Sequence, residues 1–218
     1  LDRLAVGFGA NWPMALSLPA SYLFLGSIAA MLMWTLIRYR QQDSYRDNAY
    51  FLLILPAFLV AKSLVLHGDF QAGYNMSIAL FRLAFLVMLE RTLTQFMKAA
   101  FQAGILRHPL LDGAIKALGL ALVAGFLLPS ALTAGLSLLL ALLLMLRLPF
   151  WHPWKAMSRI DIGIMFIGYL AIVGQLLLDA GNTFFALAWV GTVSVHLFTF
   201  GAMGCVIPAM IVRIAKGH

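Results

Sequence analysis

From Ala117 to Leu146 the chain runs without one charged residue, and a stretch of that kind dictates its own solvent. A helix rises about 1.5 Å per residue, so roughly 20 apolar residues cross the ~30 Å hydrocarbon core of a bilayer. Segments of that size recur along the sequence: Leu18 to Ile37, Tyr50 to Leu66, Tyr74 to Met97, Asp112 to Leu128, Ser130 to Leu146, Ile160 to Leu178 and Phe184 to Val212. With 63% apolar residues, 11% charged residues and a mean hydropathy of +0.95, too few polar side chains remain to cover a water-facing surface. The expected fold is therefore all-α, a polytopic membrane bundle of about seven transmembrane helices over residues 18–218. Residues 1–17, with Asp2, Arg3 and Trp12-Pro13, read as an outer-side or interfacial segment.

Ala117 to Leu146 could be one long helix or a hairpin broken at Pro129-Ser130, and the positions of the basic residues decide between them. Arg38, Arg40 and Arg46 follow the first helix; Lys98 and Arg107 follow the third; Arg147, Lys155 and Arg159 follow the fifth; Arg213 and Lys216 close the last. Only with a hairpin at Pro129 do all these gaps fall on one side, opposite gaps near Asp69, Pro129 and Asp179 that are almost free of Lys and Arg. Positive charge concentrates on the cytoplasmic side of membrane proteins. The C-terminus and basic loops are thus expected in the cytoplasm. The formal charge of +7 is a topology signal rather than a nucleic-acid footprint, because the basic residues sit in short gaps and do not cluster with aromatics.

Several classes of chemistry lack a starting residue. The single cysteine, Cys205, sits in an apolar run, which excludes an internal disulfide framework and any CxxC motif. No nucleotide-binding loop, HExxH or Ser-His-Asp set is present. No reaction follows from the residues alone. The chain opens on Leu1, so its true start is read as lying elsewhere.

Ionisable residues inside a bilayer are costly and usually paired, which makes them the first candidates for function. Lys62 and His67 lie near the outer end of the second helix, with Asp69 just beyond. Arg82, Glu90 and Arg91 lie on the third, and Arg82 and Glu90 are two turns apart on similar faces with Leu86 between them. His196 falls about a dozen residues into the last helix, near mid-membrane. A snorkelling Lys62, a register-fixing Arg82/Glu90 network and a hydrogen-bonding His196 are the plain alternatives. His108 and His152 each precede a proline and read as loop residues. The fourth and fifth helices have no titratable residue past Lys116 and are expected at the lipid-facing periphery. The small residues Gly201, Ala202, Gly204 and Cys205, with Pro208 beyond, permit close approach of a helix or of a flat cofactor.

The last helix runs His196-Leu-Phe-Thr-Phe-Gly-Ala-Met-Gly-Cys-Val-Ile-Pro-Ala-Met-Ile-Val-Arg213 and closes on Gly217-His218. This resembles the C-terminal signature of the NnrS family. Arg46-Asp-Asn48 leading to His67, Arg91 with Phe96, and Pro109-Leu-Leu-Asp112 resemble further family segments in the same order. At Phe166 this chain has phenylalanine where the resemblance would carry histidine. What the resemblance implies is the later part of a bacterial inner-membrane protein that contains haem and copper and takes part in the nitric oxide and nitrosative stress response. It would make His67 and His196 intramembrane cofactor and metal ligands, with Arg213 and His218 at the cytoplasmic end. His218 lies about 33 Å along a straight helix from His196, so the two cannot ligate one metal.

Two other readings remain open at the level of sequence. A transporter or channel would run a polar path through Lys62, Arg82 and Glu90, within a network that also takes in Arg91 and Arg213. A structural subunit would carry no chemistry and pack on other membrane subunits. In every case the bilayer is the chief partner and nucleic acid is not one.

Overall fold

The computed structural model describes residues 14–41 and 46–215. It is 86% helical, with no strand among the described residues, as expected for an all-α polytopic membrane protein. Among the described residues six helical spans are long and apolar enough to cross a membrane. The Asp2, Arg3 and Trp12-Pro13 segment, Lys216 and His218 lie outside the described residues. The chain divides into two compact units, residues 1–80 and 81–218.

In the first unit, α1 (Met14–Arg38) and α2 (Phe51–Leu66) pack on each other, with a 3-10 turn (Arg46–Tyr50) leading into α2. α2 ends at a tight turn where Gly68 takes φ +94°, a left-handed conformation that glycine adopts without steric cost. Asp69 then caps α3 (Phe70–Phe101), its Oδ1 accepting from the Ala72 N–H at 3.3 Å. Such a cap satisfies one of the free N–H groups at a helix start. α3 leaves beside α2 at close range: a Cβ on Gly73 would lie 2.6 Å from the Ala61 carbonyl oxygen.

The second unit is built around α7 (Ile160–Phe185). α5 (Ser130–Arg147) and the last helical stretch pack on it from their own sides. α4 (Pro109–Val123) begins with Pro109 in its first turn and with the His108 ring accepting from the Leu111 N–H at 3.3 Å. Proline suits that position because the first-turn N–H groups have no helical partner. The break at Pro129-Ser130 is present: α4 gives way to a 3-10 turn (Gly125–Leu127), and α5 starts at Ser130. α4 itself has only 15 residues, about 22 Å by the helical rise, so the fourth expected span is short for a bilayer.

Two further expectations are corrected. The last helix does not begin at Phe184: Phe184 and Phe185 end α7, which stops where Ala186 turns left-handed at φ 49°. The chain becomes helical again as α8 (Val193–His196), widens into a π-helix (Leu197–Met203) and continues as α9 (Gly204–Ala215). The fifth helix exposes one side, at Leu138, Leu142 and Leu146, but is not peripheral all round. Leu140, Ala141 and Leu144 of α5 are buried, and its final residue, Arg147, is 0% exposed. It is reached past a 3-10 turn (Leu148–Trp151) and α6 (Pro153–Ala156), which lead into α7.

Candidate functional site

Charged side chains come together in three separate places in the second unit. The first surrounds Arg147. Its Nη2 donates to Glu90 Oε1 at 2.8 Å, its Nε stands 2.9 Å from Asp112 Oδ1, and its Nη1 donates to the Leu106 carbonyl at 3.2 Å. The guanidinium lies 4.4 Å from the Trp151 ring centre, within cation–π range. Trp151 is fixed in turn, donating from Nε1 to Thr94 Oγ1 at 3.2 Å and meeting the Tyr169 ring edge-on at 5.3 Å. Tyr169 donates its hydroxyl hydrogen to the Leu144 carbonyl at 2.7 Å. With Lys116 beside Glu90, two cations and two carboxylates balance. A buried group of this kind is tolerable only when its charges are paired and hydrogen-bonded.

The second place holds Arg82, 7% exposed, on α3 and Asp179 late in α7. Asp179 accepts from Ser194 Oγ on one oxygen and from Gln175 Nε2 at 2.7 Å on the other. Arg82 therefore interacts with a carboxylate whose oxygens are already engaged, and its own Nε and Nη1 have no hydrogen-bond partner among the described residues. Phe85 and Phe198 meet edge-on at 6.1 Å one turn of α3 further on. Arg82 and Glu90 thus serve two different clusters rather than one row of charge.

Arg159, Asp161 and Arg213 form the third. Arg159 clasps the Asp161 carboxylate with Nε at 3.3 Å and Nη2 at 3.1 Å, and Arg213 Nη1 reaches the same carboxylate at 3.2 Å. Arg213 also lies over the Phe96 ring at 5.0 Å. Arg91 is half-buried on α3. Lys62, in the first unit, donates from Nζ to the Ser21 carbonyl.

The histidines stand apart from these clusters. His67 is exposed at the end of α2, its Nδ1 2.8 Å from the Ser63 carbonyl. The Ser63 hydroxyl lies 3.3 Å from the same nitrogen; the carbonyl contact is a hydrogen bond in the tautomer that carries the proton on Nδ1, which leaves the Nε2 lone pair available. His196 is exposed at the point where α8 passes into the π-helix, its ring tilted against Phe200 at 5.6 Å. π-helical turns occur frequently at functional sites. The small-residue face beyond His196 meets α7: a Cβ on Gly201 would lie 2.8 Å from Ala171 Cβ, and one on Gly168 would lie 2.5 Å from Val206 Cγ2. Around Gly201 that face packs against a helix, whereas Gly204, Cys205 and Pro208 line an open groove.

Among the described residues no group of three or more His, Cys, Asp or Glu side chains could hold a metal ion. Phe166 is wholly buried against Trp151. The described donors therefore do not fit copper, which prefers several nitrogen or sulfur ligands. His67 and His196 are single imidazoles, the donor type that haem iron takes one or two of.

Sequence reasoning missed Arg147, Asp112, Asp161 and Asp179 as partners. Each sits at or near a helix end, where it counts as a loop charge until the neighbouring helix is known.

Membrane-length helices with paired charges buried between them define a polytopic α-helical membrane protein. The chain matches the family model described as NnrS protein over residues 1–218 and belongs to that family. No curated protein and no solved structure matches it.

Proposed function

We propose that this NnrS-family protein binds haem in a bacterial inner membrane and takes part in protection against nitric oxide, with His67 and His196 as candidate axial ligands. The observation that carries the reading is the Nδ1 contact of His67 with the Ser63 carbonyl. Histidines that ligate metals almost always hand their other ring nitrogen to a carbonyl or carboxylate in this way, which fixes the tautomer and orients the lone pair. His196 supports it independently, as an ionisable residue exposed on a membrane-length helix with neither ring nitrogen hydrogen-bonded among the described residues. Haem held by imidazole would supply an iron centre able to bind a diatomic gas. The protein's own part is to present the imidazole in the correct tautomer and to keep the surroundings apolar. Copper does not enter the proposal, for want of a donor set among the described residues.

The test is an absorption spectrum with iron and copper analysis of detergent-purified protein from haem-supplied cells. Expected are a Soret band, stoichiometric iron, and loss or displacement of the band in His67→Ala or His196→Ala. A colourless, iron-free preparation, or an unchanged band in both variants, overturns the assignment.

A further inference from the structure

Where α7 begins, a groove of about 420 Å³ opens between its first turns and α9. Ile164, Pro208, Ala209 and Val212 form apolar walls, and Arg159 and Asp161 stand among the lining residues. Two guanidinium groups, Arg159 and Arg213, share the one Asp161 carboxylate, so the charged group carries a net positive charge. Arg159 is fixed through Nε and Nη2 and remains 41% exposed, and its Nη1, without a hydrogen-bond partner among the described residues, leaves that edge of its fork able to donate. Asp161 is the second residue of α7, and Arg213 is in the last turn of α9. The charges are therefore at the ends of two membrane-length spans, at headgroup depth, with the apolar walls running inward from them.

We infer that this groove is a binding site for an anionic phospholipid, its phosphate received by the Nη1 edge of Arg159 and an acyl chain lying against Ile164, Pro208 and Val212. The volume is in the range of small-molecule sites, and basic pockets between transmembrane helices recognise acidic headgroups. The asymmetry of two cations to one carboxylate selects an anion over a zwitterion. Asp161 serves as a brace, holding Arg159 in place so that less side-chain freedom is lost when the phosphate arrives. The site is separate from both candidate haem ligands: neither His67 nor His196 lines it.

Native mass spectrometry of the full chain in detergent tests this by titration with phosphatidylglycerol and phosphatidylethanolamine of identical acyl chains. The wild type is expected to retain the anionic lipid at least about fivefold better, roughly 1 kcal/mol at 25 °C. Arg159→Gln should bring the two lipids to parity. Gly204→Phe should lower retention of both by filling the groove; a Cβ at Gly204 meets only the Thr199 carbonyl oxygen, at 3.7 Å, so folding is expected to survive. Equal retention by the wild type, or an undiminished preference in Arg159→Gln, overturns the site. Competition by soluble glycerol phosphate as effective as the lipid itself would overturn the lipid assignment, because the groove would then contribute nothing.

Discussion

Arg147 Nη2 and Glu90 Oε1 lie 2.8 Å apart although 57 residues separate them in sequence, and the arginine side chain is wholly screened from solvent. The contact joins the end of α5 to the middle of α3, and through Asp112 to the start of α4. Three helices are thereby held in register at one end of the second unit. Breaking a buried ion pair from one side leaves its partner charged and unmatched, which costs more than the pair contributes.

Glu90→Ala should accordingly destabilise the protein by about 3–5 kcal/mol, measured as a fall in the thermal unfolding midpoint in detergent. The double variant Glu90→Leu with Arg147→Met, made in an Asp112→Asn background so that no second carboxylate loses its partner, should recover much of that loss, since apolar residues of similar volume replace a buried pair at little cost. Additive losses in the double variant would show that the two side chains act independently and that the pairing does not set the register.

How much of this was legible in the sequence depends on which force writes each feature. Apolar length marks the membrane spans because the bilayer imposes it locally, and the alternation of Arg and Lys places the hairpin at Pro129 because any other break spoils the pattern. Arg82 and Glu90 stand out for the same reason: a charge inside an apolar run is conspicuous. Their partners are not conspicuous. Arg147 reads as a loop charge and Asp179 as the end of a span, and only tertiary packing turns them inward. The π-helix after His196 is likewise hidden, because it changes backbone pairing without changing composition. The shortness of α4 was written in the turn Gly125–Leu127, but hydropathy alone runs through it.

Asp179 is the charged neighbour of Arg82, and both its oxygens are held by Gln175 and Ser194. Asp179→Ala should leave a buried guanidinium without a counter-charge and cost about 3–5 kcal/mol. Ser194→Ala should cost only about 1–3 kcal/mol, the loss of one donor to a half-buried carboxylate. Unfolding midpoints of the two variants, with Arg82→Met added to each, separate the effects. The added substitution should rescue Asp179→Ala and leave the cost of Ser194→Ala in place or raise it.

Trp151 is 2% exposed and donates to Thr94 Oγ1 while covering the Arg147 guanidinium. Trp151→Phe keeps an aromatic face but strands the threonine oxygen, so a loss of about 1–3 kcal/mol is expected. In a double-mutant cycle with Thr94→Val, much of that loss should disappear, because the orphaned acceptor is gone. A cycle with no coupling would assign the tryptophan's contribution to packing and to the cation–π contact alone.

Glycine has opposite meanings at two helical positions, and paired substitutions make the difference measurable. At Gly168 the backbone of α7 approaches the last helix so closely that a Cβ would meet Val206 Cγ2 at 2.5 Å and the Ala202 carbonyl oxygen at 3.2 Å. The valine can shift but the carbonyl belongs to backbone, so Gly168→Ala forces the helices apart and should cost about 1–3 kcal/mol. At Gly26 on α1 nothing lies within 4 Å of an added Cβ. There alanine only removes the conformational freedom that glycine gives the unfolded chain, and Gly26→Ala should stabilise by up to about 1 kcal/mol. Unfolding midpoints that fall for Gly168→Ala and rise or hold for Gly26→Ala would locate the tight contact at the α7 interface. A drop of similar size in both would mean that Gly26 also carries a close helix contact.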